Sequence, residues 1–506
     1  MIPITCDKKS ETPIYRQIVR QFRDAVGAGI LRGDERLPTT RALASTLGVN
    51  RLTIGRAYAE LAKAGIISSH VGRGTFVKGA RHSAAGAAAP AGARLPWATL
   101  FARSAQRAVE AGLPAAALGA SEPGVISFAS LFPDPALFPT EPFRRALDEV
   151  LRREGHRVLG YGPPAGHPGL RDMIARNLRS RGMRVPIEEI VITNGSQQGI
   201  DLVARALLDP GDVVLVENPT YTGAVQVFHS YGATLVGVPV DHDGVIVPVL
   251  EEAVARHRPK LIYLMPNFQN PTSETMSLPR RRALVALAAS RGVPVLEDDF
   301  GGDLRFEGQD LPSLKALDGH QSVIYLSTFA KKLLPGIRIG WIAAPPDVAE
   351  RLTGLKKIAD YSTSLLLQAA LYEFCGRGDL ERHLTGIVEK YRERRDAMLS
   401  AMERCFPAPV TWSRPHGGLA VWVTLPAGVD ATVVASRAED RKVLVGRGDL
   451  FYVNGGTNQN LRLTFSLVTP REIARGIRVL GDIITQEIKS RRAAPRPPDA
   501  ESLPLI

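Results

Sequence analysis

Long apolar runs, cysteines and aromatic residues are all scarce in this chain. Across its 506 residues no apolar stretch approaches the roughly 20 that a membrane-spanning helix needs. Met1 to Glu11 (MIPITCDKKSE) lacks the apolar centre of a secretion signal. Three cysteines, Cys6, Cys375 and Cys405, lie far apart and match no metal-ligand spacing, which argues against a disulfide frame and a metal centre. Aromatic residues make up only 6% of the chain. These absences point to a cytoplasmic protein with no membrane partner and no metal. What the chain does have is size and positive charge. A hydrophobic content of 44% suffices for large cores, and the length suggests about three domains at roughly 150 residues each. Of the net charge of +12, residues 1–80 hold 13 Lys/Arg against 6 Asp/Glu, a net +7. A basic module of that kind suits nucleic acid, although a solvated surface has the same composition.

Within that module, Ile14, Ile18, Phe22 and Val26 recur at four-residue steps after Pro13, which predicts an amphipathic helix over Pro13–Gly29. After a turn at Arg32-Gly33-Asp34, Thr39–Leu47 predicts a short helix and Gly48-Val49 a tight turn. Asn50–Ala64 predicts a third helix with Asn50 as its N-cap, exposing Arg51, Thr53 and Arg56 and burying Leu52, Ile54, Tyr58 and Leu61. Gly65–Ser69 and Gly72–Val77 then read as a two-stranded wing. The pieces PIYRQI, LPTTRALASTLGVNRLTIGRAYAEL and GIISSHVGRGTFV occur in order, and the stretch resembles the winged helix-turn-helix of the GntR family over about 65 residues. The resemblance implies DNA contact by Arg41, Asn50, Arg51, Thr53, Arg56, Arg73 and Gly74. Phosphate contacts would position the module, and groove contacts from the third helix would read sequence.

Residues 81–125 are expected to be a flexible linker: Arg81–Pro96 (RHSAAGAAAPAGARLP) is rich in Ala, Gly and Pro, and order resumes between Trp97 and Ile126. The chain's end, 489–506, is Pro-rich and basic and is expected to be a loose tail. Between them, 126–488 alternates short β-branched runs with longer amphipathic ones, the pattern of an α/β fold with a mostly parallel sheet. The predicted strands are Glu189–Thr193, Val213–Glu217, Thr234–Pro239, Leu261–Met265, Val293–Glu297, Val323–Ser327 and Ile339–Ala343. Ligands of such sheets sit at the carboxyl ends of the strands.

Polar residues gather at those ends. Lys331 follows the run SVIYL, and a lysine there is costly unless its amine is used, for instance in a Schiff base with pyridoxal phosphate (PLP). Arg338, seven residues on, could meet the cofactor's phosphate. The plain alternative is a strand-to-loop junction with two surface lysines. Thr193–Gly199 (TNGSQQG) opens a helix and could seat a phosphate, or could be an ordinary βα turn. Tyr221 could stack on a planar ring or fill an interface, and Asn270 could donate to a ring oxygen. Among Glu297, Asp298 and Asp299 a buried carboxylate would need a cation such as a pyridinium, unless the three form a solvated loop. Arg462 lies inside the apolar strand Asn460–Phe465 and wants a carboxylate, from the protein or from a ligand.

Taken in order, these segments resemble fold-type I PLP enzymes of the aspartate aminotransferase class over about residues 126–485. The resemblance implies an internal aldimine at Lys331, pairing of Asp298 with the pyridine nitrogen, Asn270 at the ring hydroxyl and Tyr221 stacked on the ring. It implies a phosphate held by Ser196, Gln197 and Arg338 with Tyr161 from the partner subunit, and a substrate or effector carboxylate on Arg462. Two positions depart from the pattern: Phe300 stands where a tyrosine is usual, and Ala330 where a serine is common.

The expected architecture is therefore multi-domain: an N-terminal α+β winged helix-turn-helix (1–80), then an α/β fold-type I aminotransferase-like domain with a smaller C-terminal subdomain at about 380–488. That is the layout of the MocR/GabR group of bacterial transcription regulators. It implies a domain-swapped homodimer that binds operator DNA and senses a small amino compound by external aldimine formation at Lys331-bound PLP. The competing expectations are a working aminotransferase and a regulator whose domain never binds PLP.

Overall fold

The computed structural model describes residues 13–27, 31, 35–70, 74–78, 97–110, 124–453 and 455–493, and the chain divides into two compact units, Met1–Arg103 and Ser104–Ile506. In the first, helices Ile14–Gly27, Thr40–Leu47 and Arg51–Lys63 precede an antiparallel hairpin of Ile67–His70 with Gly74–Val77. The second helix is capped by Thr39, whose hydroxyl accepts from the Ala42 amide at 3.1 Å, and ends on Gly48 in the left-handed region (φ 60°). The third is capped by Asn50, whose oxygen accepts from the Leu52 amide at 2.8 Å. Ile54, Ala57, Tyr58 and Leu61 face the core with Ile18 and Phe22. Leu52, predicted inward, is instead 81% exposed. A stripe at 54, 57, 58 and 61 leaves position 52 about 200° around the helix from 54, on the opposite face.

The turn at 32–34, the wing tip at 71–73 and residues 81–96 lie outside the described residues. The stretch expected to be a flexible linker contains two helices, Trp97–Leu100 and Arg103–Glu110. The second is tied down: the Arg107 guanidinium donates to the Ser230 carbonyl at 3.3 Å. The helix Pro470–Ala493 runs past residue 488 into the expected tail, whose residues 494–506 lie outside the described residues.

The second unit is built on an eight-stranded sheet. In spatial order its strands are Ile190–Thr193, Gly340–Ala343, Val323–Thr328, Val295–Asp298, Leu261–Leu264, Val213–Asn218, Thr234–Asp241 and Gly244–Val245. Gly340–Ala343 and Gly244–Val245 run antiparallel to their neighbours, and the other six share one direction. Central strands such as Val323–Thr328 are buried at every position because helices cover both faces, which is why they read as continuous apolar runs. A second, five-stranded sheet runs Thr411–Trp412, Ala420–Thr424, Asn460–Thr464, Val443–Arg447, Ile126–Phe128. It packs with the long helices Asp379–Cys405 and Pro470–Ala493. The smaller sheet thus draws on residues far ahead of 380: Ile126–Phe128 pairs in parallel with Val443–Val445, and Phe128 is fully buried in that core.

Candidate functional site

Because six strands of the large sheet share a direction, their carboxyl ends line one edge. That edge gathers the Asn194 turn, the Pro219–Tyr221 loop, the Asn267–Asn270 loop, Asp298 and the loop carrying Lys331. Arg338 precedes the antiparallel strand and so belongs to the same edge.

The two adjacent lysines have different fates. The Lys332 ammonium is paired with Asp303 and sits 5.1 Å from the Phe329 ring centre and 4.9 Å from that of Trp341. Lys331 has no carboxylate of its own: its amine donates to the Leu131 carbonyl at 2.7 Å and lies 5.4 Å from the Phe132 ring centre. Burial, and then the nearby Arg462 and Arg338, bring the Lys331 amine down to about 8, against a weaker opposing pull from Asp298. Such an amine is a usable nucleophile near neutral pH.

The three consecutive carboxylates also separate. Glu297 accepts from the Leu314 and Lys315 amides, both at 2.8 Å. Asp299 accepts from the Tyr325 hydroxyl at 2.6 Å and the Asn267 amide at 3.0 Å. Asp298 accepts from the Tyr263 hydroxyl at 2.9 Å on Oδ2, while its Oδ1 is buried without a partner. Burial pushes Asp298 up to about 7 in spite of the Tyr263 bond. An unpartnered buried carboxylate oxygen is costly, and a protonated ring nitrogen is the kind of group that relieves it.

At the phosphate-seat candidate, helix Gly195–Leu207 starts with first-turn amides that have no acceptor within the helix. Gly195 (φ 78°) is required there, since a Cβ would stand 2.4 Å from the Arg338 guanidinium. Arg338, itself in the left-handed region (φ 53°), donates to the Asn194 carbonyl at 3.1 Å. Ser196 follows in the first turn. The Gln197 side chain is spent elsewhere, accepting from the Tyr221 hydroxyl at 3.1 Å and donating to the Gly223 carbonyl at 2.9 Å, so what it offers an anion is its amide. This fixes the Tyr221 ring, which lies 2.4 Å from where a Gly223 Cβ would be.

Behind this turn stands a group that the sequence reading missed. Asp360 accepts from the Asn194 side-chain amide at 2.5 Å, from Gln198 at 2.7 Å and from the Lys356 ammonium at 2.6 and 2.9 Å. Lys356 is fully buried, and burial lowers its pKa. The pair sits at the end of a helix more than 150 residues along the chain, and no local pattern marks it. Tyr263 was missed for a similar reason, because inside LIYL it reads as one more core aromatic.

Arg462 lies between Trp422 and Gly446 in the small sheet. It donates to the Asn270 side-chain oxygen at 3.0 Å and to the Ala129 carbonyl, and stacks 4.8 Å from the Phe451 ring centre. None of these partners is charged, its Nε is buried without a partner, and burial lowers the guanidinium to about 10. Arg462, Arg338 and Asp298 all act electrostatically on Lys331 and on Tyr221, so these five side chains lie near one another. Tyr161 stands apart, largely exposed with its ring 5.0 Å from that of Tyr361. Phe300 packs against the apolar core of the large sheet, and Ala330 is buried in the lysine loop. The free Asp298 oxygen, the cradle at Gly195 and the depressed amine are a chemical fit for PLP.

In the first unit Arg41, Asn50, Arg51 and Arg56 are exposed and Thr53 is half-buried. The Asn50 oxygen is committed to the cap. The Arg56 guanidinium lies 4.1 Å over the Tyr15 ring centre, which orients it. Gly74 has φ 110°, and a Cβ there would stand 2.9 Å from Nε of Arg36, an exposed cation that the sequence reading did not single out. Arg73 lies outside the described residues.

Two families match the chain, one in each unit. Residues 134–480 match the family described as aminotransferase class I and II, and residues 14–77 match the bacterial regulatory proteins of the gntR family. An uncharacterized HTH-type transcriptional regulator of Bacillus subtilis, YisV, is 32% identical over 94% of this chain and 96% of its own length. The probable rhizopine catabolism regulatory protein MocR of Rhizobium meliloti is 30% identical over 94% of this chain and 95% of its own. Among solved structures, the α-aminoadipate aminotransferase LysN of Thermus thermophilus, complexed with N-(5'-phosphopyridoxyl)-L-leucine, superposes with a TM-score of 0.72. It is 36% identical, and the match covers 78% of this chain and all of that one. The chain thus belongs to the MocR-type family of regulators, in which a GntR winged helix-turn-helix is joined to a PLP-dependent fold-type I aminotransferase domain.

Proposed function

We propose that the protein is a cytoplasmic transcription regulator that binds operator DNA through residues 1–80 and senses a small amino compound in the cleft of residues 126–488. The observation that carries this reading is that the likeness to regulators runs through both units together, over 94% of the chain. PLP supplies an aldehyde that condenses reversibly with primary amines. In this reading Lys331 holds the cofactor covalently, and the free oxygen of Asp298 keeps a proton on its ring nitrogen. Asn270, whose oxygen is taken by Arg462, turns its amide N–H groups to the ring hydroxyl, and Tyr221 stacks on the ring. The Ser196 hydroxyl, the Gln197 amide and Arg338 hold the phosphate, joined by Tyr161 across a homodimer interface. Arg462 takes the effector's carboxylate with its unspent donors. An effector that engages Lys331 and Arg462 at once shifts the population of two arrangements of the large unit, and residues 81–125 pass that shift to DNA-reading heads swapped between subunits. On DNA, Arg41, Arg51, Arg56, Arg73 and the Gly74 backbone hold phosphates and base edges, with Thr53 beside them.

The test is a visible spectrum and a DNA-binding titration of the cofactor-loaded, full-length protein, run against a panel of amino compounds. The expected result is one class of compound that shifts the cofactor band, leaves it shifted, and changes DNA affinity. Compounds that shift the band yet leave DNA affinity unchanged would overturn the sensing role. A second reading, an aminotransferase first, draws on the same Lys331 amine near neutrality. It requires a 2-oxo acid released in excess over protein. Phe300 and Ala330, which lack the hydroxyls usual at their positions, weigh against efficient turnover.

A further inference from the structure

We propose that Leu52 reads the methyl group of a thymine in the DNA major groove, with Gly55 leaving room for the approaching base edge. This rests on the DNA-reading role proposed above and names the base that the apolar part of the helix recognises. Leu52 occupies the first turn of Arg51–Lys63, where its own amide is held by the Asn50 cap at 2.8 Å, so its position is fixed. Its side chain is nonetheless 81% exposed, between the exposed Arg51 and the half-buried Thr53, and one turn ahead of the exposed Arg56. An exposed leucine is unremarkable singly, but this one stands at the end of the helix that meets base edges in such modules. In the major groove the C5-methyl of thymine is the apolar feature available to it.

Gly55 fits the same reading by its place beside Leu52, while Gly354 and Gly386 are equally open inside helices of the second unit. Gly55 lies three residues on, next to Leu52 on the helix surface. A glycine inside a helix is less stable than an alanine, so its presence needs a reason. The protein itself supplies none: a Cβ built at Gly55 would meet nothing within 4 Å. A face that is open in the free protein and lacks a side chain suits close approach by something outside it.

The experiment selects a duplex from a random-sequence pool with the full-length, cofactor-loaded protein. It then remakes that duplex with each thymine singly replaced by deoxyuridine, which lacks only the methyl. At one thymine per half-site the replacement should weaken wild-type binding about fourfold, the scale of one buried methyl, and should have no effect on Leu52→Ala. Gly55→Ala should raise the melting temperature by about a few degrees while weakening binding to the selected duplex about tenfold. If no single replacement changes wild-type affinity, as when Leu52 packs on a second copy of the chain, the inference fails. It fails equally if Leu52→Ala keeps the discrimination, and the part played by Gly55 fails if Gly55→Ala binds as the wild type does. A protein that selects no sequence from the pool overturns the DNA-reading role itself, an outcome distinct from sequence selection without methyl sensitivity.

Discussion

Arg51 and Arg462 present the same guanidinium in opposite settings. Arg51 stands in water at the start of a capped helix, while Arg462 is buried in the middle of a sheet with an amide oxygen, a carbonyl and a ring for company. The first costs almost nothing to maintain and acts through a long-range field that salt screens. The second carries a desolvation cost that its neutral partners do not offset, seen in its lowered pKa. The contrast extends to whole units. Among the described residues, the first unit's cations proposed to meet DNA, Arg41, Arg51 and Arg56, are exposed, whereas Asp298, Lys331 and Arg462 of the second are displaced from their usual titration ranges by burial. A surface of exposed cations suits a large anion that brings its own counterions; a buried, mismatched set suits a small ligand whose charges complete it.

The sharpest way to break this comparison is Lys331→Ala. The variant should lose the cofactor's covalent attachment and all response to effector, while DNA affinity stays within about twofold, since nothing on the reading face is touched. A variant that still answered its effector in a reporter assay would sink the sensing role of the cleft. Arg462→Ala comes next: effector affinity should fall about a hundredfold or more, on the scale of a lost buried charge pair. A titration of the shifted visible band measures it. A loss of under threefold would mean that Arg462 serves the fold and not the ligand.

The pattern of buried and exposed charge also decides what could be read in advance. Strands, the helix-turn-helix and the residues at the strand ends were legible because each leaves a local trace: a β-branched run, a cap such as Asn50, a polar residue directly after an apolar segment. What was not legible depended on three-dimensional pairing. Nothing in KK at 331–332 says which amine is spent on Asp303, and nothing in EDD at 297–299 says which oxygen stays free. Leu52 is apolar and reads as core, yet the stripe of Ile54, Ala57, Tyr58 and Leu61 is complete without it. The contribution of Ile126–Phe128 to a sheet made otherwise of residues beyond 410 is a long-range pairing that no window of sequence contains.

Asp360 tests whether the buried set extends beyond the groups that would touch a ligand. Asp360→Asn keeps the shape but removes the charge that faces Lys356, and sets its NH2 against either the Lys356 ammonium or the side-chain amides of Asn194 and Gln198. The turn that opens the helix at Gly195 should loosen, and PLP should dissociate about tenfold more readily, on the scale of a lost charged hydrogen bond. The wavelength of the bound cofactor's band should not move, because Lys331 and Asp298 are untouched. A changed band with unchanged retention would reverse the assignment, making Asp360 a group that acts on the ring and not on the phosphate turn.

The smallest effect concerns pH. A lysine amine ordinarily titrates near 10.4, so its neutral, reactive fraction grows about tenfold per pH unit up to that point. With the Lys331 amine lowered to about 8, its neutral fraction is about a tenth at pH 7, half at pH 8 and nine-tenths at pH 9. The rate at which cofactor-free protein captures added PLP, followed by stopped-flow absorbance, should therefore rise about fivefold from pH 7 to 8 and less than twofold from 8 to 9. Burial is the main cause and the Arg462 charge the next, so Arg462→Met should move the midpoint upward by less than the full displacement. A capture rate that keeps climbing tenfold per unit beyond pH 9 would show the amine to be no different from an exposed lysine, and the contrast between the two units would then rest on Asp298 and Arg462 alone.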